Sequence, residues 1–213
     1  MSMTEPNTDA RRPLKSRSTA WARALATRLV RTAVTPNQIS VASVGFAALG
    51  AVLLMMGNDW PWALIGAALC VQLRLLCNLI DGMVAVEGGK GTATGALYNE
   101  IPDRIADSFF LVATGYALAL PELGWLAALA AAVTAYIRVL GGTLGLPQDF
   151  RGPQAKPHRM AVLSLGCVVG AVEGWLWQTP YALTAALSFI AIGSIWTCVA
   201  RTRAIAAALP PKI

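Results

Sequence analysis

Six apolar stretches, at 39–57, 61–80, 97–119, 123–141, 160–175 and 181–200, take up most of this chain. At a rise of 1.5 Å per residue, about 20 residues cross a hydrocarbon core of about 30 Å. Six such segments leave no room for a separate soluble domain, so the expected fold is an all-α integral membrane protein with six transmembrane helices. Composition agrees: 13% of residues are charged, against about a quarter in soluble domains. The stretch at 160–175 is the weakest, diluted by Gly166, Gly170 and Glu173. Expected boundaries are a disordered basic tail at 1–16, an interfacial amphipathic helix at 17–35, the membrane domain at 36–203 and a short tail at 204–213. The first 38 residues lack a continuous apolar core of the kind a cleaved signal peptide needs. Cys70, Cys77, Cys167 and Cys198 all fall inside proposed spans, at spacings that match neither a zinc site nor a disulfide framework. They read as small hydrophobes.

Charge placement orients the spans. The connections at 57–60, 120–123 and 174–180 contain no Lys or Arg. Basic residues fall at the alternate connections: Arg11 to Arg31 before the first span, Lys90 after the second, Arg151, Lys156 and Arg159 after the fourth, Arg201, Arg203 and Lys212 after the sixth. An even number of spans with both termini on the positive, cytoplasmic side produces this alternation. Trp60, Trp62, Trp125, Trp175 and Trp177 collect on the opposite side, where indole rings favour the headgroup layer. The net charge of +6 then marks a face beside anionic membrane lipids, and no nucleic acid is needed to explain it. The expected location is the inner (cytoplasmic) membrane.

In "STAWARALATRLVR", Trp21, Leu25 and Leu29 recur every four residues, with Arg23, Arg28 and Arg31 largely on other faces. This pattern predicts a helix lying in the membrane interface, with Ser18 or Thr19 available to cap its start. Pro36 disfavours helical geometry at Thr35 and separates this helix from the first span.

The chemistry concentrates between Asn78 and Phe110. Charges inside a span cost roughly 3 kcal/mol or more when central, so they tend to face protein, water or an ion. Asp81 is expected to end the second span, with Asn78 one turn earlier on the same face. Gly82 and Ala85 leave room for close approach of a ligand. On the third helix, which starts near Gly95, Asn99, Asp103 and Asp107 recur every four residues, and Glu100 shares much of their face with Arg104 four residues on. Two helices joined by a short glycine loop are expected to pack as antiparallel neighbours and bring Asn78 and Asp81 level with Asn99 to Asp103. Such a set of oxygens suits Mg2+ or Mn2+ shared with substrate phosphates. Arg138, Lys156 and Arg159 are on the correct side to meet the phosphate. The expected site is a cytoplasm-facing pocket for a metal and a phosphorylated substrate. The competing readings are carboxylates that only pair with Arg74 and Arg104 as packing devices, and a polar pathway in a transporter.

The segments "NLIDGMVAV", "EGGKGTAT" and "GALYNEIPD" resemble the signature of the CDP-alcohol phosphotransferases (also called phosphatidyltransferases). That signature is D-x-x-D-G-x-x-A-R, eight residues, G-x-x-x-D-x-x-x-D. Asp81, Gly82, Ala85, Gly95 and Asp103 match with unchanged spacing, whereas Asn78, Val86 and Asn99 stand where the family has Asp, Arg and Asp. The resemblance runs over nearly the whole chain, including "TPNQIS" before the first span. It implies transfer of a phosphoryl-linked group, often phosphatidyl, from a CDP-alcohol to a second alcohol, with release of CMP. It also implies Mg2+ or Mn2+, usually two ions held together, and a homodimer. By resemblance, Asp81 helps hold metal, Gly82, Ala85 and Gly95 shape the cytidine diphosphate pocket, and Asp103 is the general base. Arg138, Lys156 and Arg159 are the nearest equivalents of the basic residues that meet the acceptor's phosphate. Two Asn-for-Asp changes remove two formal charges from the metal site, since an Asn side chain offers an oxygen without charge. Weaker cation binding is expected unless Glu100 and Asp107 rebuild the ligand shell. The alternative outcome is a scaffold that has lost the reaction.

Overall fold

The computed structural model describes residues 19–210; the expected tail at 1–16, the cap at Ser18 and the basic Lys212 lie outside the described residues. Seven α-helices follow one another: α1 (Ala20–Val30), α2 (Pro36–Met55), α3 (Ala63–Val86), α4 (Gly95–Ala117), α5 (Pro121–Thr143), α6 (Lys156–Leu176) and α7 (Tyr181–Ala208). A single 3-10 turn, Met56–Asn58, continues α2.

Five of these helices are long and apolar enough to cross a membrane, from Pro36–Asn58, Ala63–Val86, Pro121–Thr143, Lys156–Leu176 and Tyr181–Ala208. At 23 residues α4 is as long as its neighbours, yet Glu100, Asp103, Arg104 and Asp107 keep it from qualifying on apolarity. Its charges are sorted by face. Asp103, Ala106, Asp107 and Phe110 are buried, while Ile101, Ile105 and Phe109 are exposed, the 3.6-residue period of a helix with one face turned inward.

The helices close a ring in which α2 packs on α3, α3 on α6, α6 on α7, α7 on α5, α5 on α4, and α4 back on α2. The expectation that α3 and α4 pack as direct neighbours is corrected by this order: α2 lies against both of them, and the two meet through long side chains across the ring. The loop at 87–94 allows this, since an extended chain reaches about 3.3 Å or more per residue and can pass α2. The interior away from the polar end is apolar, built from small and branched residues such as Ala67, Ala106, Phe110, Ala127, Leu163, Leu187 and Ile190. Cys70 and Cys167 sit in that core as free thiols.

Local chemistry explains most helix ends. Thr35 is extended (φ −96°, ψ 152°) and forms a reciprocal capping box with Gln38, and Pro36 takes the first helical position. Glu173, a carboxylate in the apolar second half of α6, caps α7 instead of facing lipid. It accepts from Thr179 Oγ1 (2.7 Å), Tyr181 N (3.0 Å) and Ala182 N (2.7 Å), satisfying first-turn amides that have no partner in their own helix. At the same end the Trp62 and Trp175 rings lie 6.1 Å apart.

One expectation needs revision, and two further features follow from the packing. Asp81 does not end α3, because the helix runs on to Val86 and stops only before Gly88 and Gly89, the latter at φ +62°. Pro102 lies well inside α4, so the Tyr98 carbonyl lacks its usual i+4 donor. In α1 the buried residues are Ala22 and Ala26, packed on Leu79 and Met83 of α3, while Trp21 is 54% exposed. Leu25, Leu29 and Val30 pack instead beside Ile39, Ile80 and Val84, so α1 is fixed to the same stretch of α3 that carries Asp81.

The α4–α5 hairpin depends on two glycines. A Cβ on Gly115 would lie 2.6 Å from Gly124 Cα, and one on Gly124 would lie 2.9 Å from Gly115 Cα. Backbone cannot give way as a side chain can. Gly124→Val is expected to destabilise the bundle by about 1–3 kcal/mol, read as a lower unfolding midpoint in detergent micelles; an unchanged midpoint would contradict this packing.

Candidate functional site

The buried polar side chains gather at the end of the ring where α2, α4 and α6 begin and α3, α5 and α7 finish. Asp107, 3% exposed, is the centre. Its Oδ1 accepts from Arg74 Nη2 (2.7 Å) and its Oδ2 from Arg159 Nη2 (2.8 Å). Both arginines are fully enclosed, at 0% and 1% exposure. Arg74 reaches from α3 and Arg159 from α6, so one carboxylate on α4 ties three helices together. A carboxylate held by two guanidinium groups in a dry interior loses less to desolvation than any unpaired charge would.

Asp103, one turn before Asp107, is equally engaged. Its Oδ1 accepts from Asn78 Nδ2 (2.5 Å) and Arg74 Nη2 (3.3 Å), and its Oδ2 from Lys156 Nζ, with Arg104 Nη2 at 3.6 Å. Its carbonyl oxygen also accepts from Arg74 Nη2 (3.1 Å). Asp81, 4% exposed, follows Asn78 by one turn of α3. Its Oδ2 accepts from Ser40 Oγ on α2 (2.6 Å), while its Oδ1 is buried with no hydrogen-bond partner.

A second tier fixes the first. Arg159 Nη1 donates to the Gln154 carbonyl (2.6 Å) and to Thr134 Oγ1 on α5 (3.3 Å). Arg201 of α7 donates to the Thr134 carbonyl (2.6 Å) and to the Arg151 carbonyl (3.0 Å). The Gln154 amide N–H donates to Thr197 Oγ1 (3.1 Å). The 144–155 connection is thereby held to α7, and this positions the start of α6 with Lys156 and Arg159. At the rim, Arg138 of α5 bonds both Glu100 and Gln148 and lies over the Phe150 ring, 5.5 Å from its centroid; Glu100 also pairs with Arg104 at 3.6 Å.

Of the residues expected from sequence, Asn78, Asp103, Asp107, Lys156 and Arg159 converge, with Asp81 alongside. Gly82 is buried behind Asp81, while Ala85 and Gly95 are half-buried at the mouth of the 87–94 loop. Glu100 and Arg138 form the rim. Asn99 is exposed and outside the network, and Val86, at the position of the family's arginine, is 47% exposed. Arg159, expected to reach a phosphate, is enclosed and committed to Asp107, Thr134 and Gln154. Arg74 was foreseen only as a possible packing partner, although it is the single charge in the apolar run of α3 before Asp81, and intramembrane charge is itself a site signal. Ser40, Thr134, Gln154 and Arg201 carry no comparable signal in sequence.

A closed bundle of membrane-type helices with an acid-and-base cluster at one end defines the class, and relatives narrow it. No family model matches the chain. It is 30% identical over 181 residues to phosphatidylinositol phosphate synthase of Corynebacterium glutamicum, covering 81% of this chain and 78% of that one. It is 28% identical over 178 residues to inner membrane protein YnbA of Escherichia coli, covering 81% and 84%. Among solved structures, the fold superposes on phosphatidylinositol phosphate synthase of Mycobacterium tuberculosis with CDP-DAG bound, with a TM-score of 0.74, 24% identity and coverage of 92% and 100%. The same enzyme in complex with manganese and citrate also gives 0.74, at 24% identity and coverage of 90% and 93%. The chain belongs to the CDP-alcohol phosphotransferase family. The family's reaction is metal-assisted transfer of a CDP-alcohol-linked group to an acceptor alcohol.

The donors fit one divalent cation. Asp81 Oδ1 is a buried carboxylate oxygen with no partner, the Asn78 amide oxygen accepts no hydrogen bond, and Asn78 is bonded to Asp103. A second cation finds no equivalent set. Both Asp107 oxygens are taken by arginines. Among the described residues no three His, Cys, Asp or Glu side chains group as metal ligands, so even the first cation would draw most of its oxygens from water and substrate.

Replacing Asp107 by Asn would leave two guanidinium groups buried opposite a neutral amide. Asp107→Asn (D107N) is expected to destabilise the fold by about 3–5 kcal/mol, the range for breaking a buried pair from one side. Chemical denaturation in micelles measures it, and a loss under about 1 kcal/mol, the scale of an exposed pair, would show the network to be solvated.

Proposed function

We propose that this chain transfers the phosphatidyl group of a CDP-diacylglycerol to an alcohol bearing an anionic group, at the cytoplasmic face of the inner membrane. The observation that carries the reading is the hydrogen bond from Asn78 to Asp103, with Asp81 beside it. Residues from the two halves of the signature meet at one buried point although α3 and α4 do not pack broadly on each other.

In this reading the acceptor's hydroxyl oxygen attacks the phosphorus that carries the donor's alcohol. A new P–O bond forms, the P–O bond to the cytidine-bearing phosphate breaks, and CMP leaves with the electron pair. The hydroxyl proton passes to Asp103 Oδ2 as Lys156 Nζ moves away from it. Asp81 and Asn78 would hold a Mg2+ or Mn2+ ion, which when bound would neutralise charge on the pyrophosphate oxygens. Arg74, enclosed on Asp103 and Asp107, acts by holding those carboxylates in place and does not meet the substrate. Arg138 suits the acceptor's anionic group, exchanging Glu100 and Gln148 for it. Gly82, Ala85 and Gly95 border the space for the cytidine diphosphate, and Asn99 is assigned no ligand role.

Alternating basic connections support six spans with α4 as the third, both termini cytoplasmic, and the site at that face. The family resemblance supports a homodimer. The scaffold-only alternative draws on the saturation of Asp103 by Asn78, Arg74 and Lys156. Asp103→Asn (D103N) separates the two, because it keeps the shape of the side chain and removes the base. CMP release from a CDP-alcohol, with millimolar Mg2+ or Mn2+ and a panel of alcohols, is expected to fall by at least about 100-fold while the unfolding midpoint identifies a folded variant. Equal release by the folded variant would remove Asp103 from the chemistry.

A further inference from the structure

Asp81, Asp103 and Asp107 are the buried carboxylates of the site, and Arg74, Lys156, Arg159 and Arg104 are the cations bonded to or facing them. Three negative charges meet four positive ones. Adding the rim pair of Glu100 and Arg138 leaves the balance positive. A cluster meant to hold two divalent cations needs surplus negative charge, and the family's signature supplies it with four aspartates, of which this chain keeps two. Here Asn78 turns a donor, not a carboxylate, toward Asp103. Where a second aspartate's charge is missing, a lysine ammonium is present on the oxygen that a bridging cation would use.

We propose that the Lys156 ammonium takes the place of one of the family's two divalent cations, so that this chain binds a single Mg2+ or Mn2+ at Asp81 and Asn78. The inference rests on the phosphotransferase reading, but it concerns how many ions bind and not whether turnover occurs. Three observations converge on it. Lys156 Nζ is bonded to Asp103 Oδ2. The side chain is only 22% exposed and is delivered by the first residue of α6, which the Arg159–Gln154 and Arg201–Arg151 hydrogen bonds hold in position. One carboxylate oxygen, Asp81 Oδ1, stays buried and unpartnered, the capacity for one further cation. A tethered ammonium also supplies positive charge to the transferring phosphorus without a bound ion, as lysine does at other phosphate sites. Its single charge suits a site that has lost two aspartates better than a second doubly charged ion does.

Mn2+ titration of the full chain in detergent micelles, followed by loss of the free-ion electron paramagnetic resonance signal, tests the proposal without turnover. Wild type is expected to bind one Mn2+ per chain. Lys156→Met with Asn78→Asp is expected to bind two, with the broadened spectrum of a coupled pair. Lys156→Met alone is expected to bind its single ion about tenfold or more tighter, because a positive neighbour has gone. Lys156→Arg keeps the charge and should keep one ion at wild-type affinity, which guards against a misfolded Met variant. Two ions bound by wild type, none bound at millimolar Mn2+, or weaker binding by a folded Lys156→Met variant would each overturn the proposal. CMP release from the same samples is a separate readout: one bound ion without release would leave the proposal standing and contradict the phosphotransferase reading.

Discussion

Two guanidinium groups closing on the Asp107 carboxylate form the interaction on which the rest of the structure depends. A charge this deep in a helical bundle is tolerated only when its partners are equally deep and well aligned. Arg74 and Arg159 meet that condition from α3 and α6, and in doing so they tie these two neighbouring helices to α4 across the ring. The apolar half of the bundle fills with Ala, Leu and Phe; the polar half is set by this ion pair. Asp103 inherits its position from it, one turn away on the same helix and sharing the same Arg74 nitrogen.

The network also shapes what the site can do. Its cations are already paired with carboxylates, so a substrate bearing a pyrophosphate must draw positive charge away from them or bring its own. The protein offers mobile and fixed contributions to that balance. Lys156 and Arg138 are partly exposed and can exchange their carboxylate partners for phosphate oxygens, whereas Arg74 and Arg159 are locked. The second tier through Thr134, Gln154 and Arg201 holds the 144–155 connection against α7. A change in that connection would therefore be felt at Lys156 before it reached Asp107.

Much of this was legible from residues alone. Apolar runs of the right length, basic connections on alternate sides and indoles on the other side predicted a helical membrane bundle. The spacing of Asn78 and Asp81 in one helix and of Asp103 and Asp107 in the next predicted two polar faces, because helical periodicity puts residues three or four apart on one side, and Asn78 does meet Asp103. Ring order was not legible, since an eight-residue loop permits either a tight hairpin or a crossing past α2. Nor was the fate of each charge. Sequence places Lys156 and Arg159 near a phosphate, but only the packing shows Arg159 sealed on Asp107 and Lys156 resting on Asp103. Glu173 carried the opposite lesson: an acid that weakens a predicted span serves as the cap of the next helix.

Phosphorus chemistry tests the central claim most directly. In 31P NMR of the purified chain in lipid nanodiscs, with Mg2+, a CDP-alcohol and a panel of acceptor alcohols, the pyrophosphate resonances should give way to one phosphodiester and one monoester signal in equal amounts. That outcome would show bond exchange at the phosphorus with CMP as the leaving group. Pyrophosphate signals that persist unchanged across the panel, in a sample whose cooperative unfolding shows an intact bundle, would contradict the account.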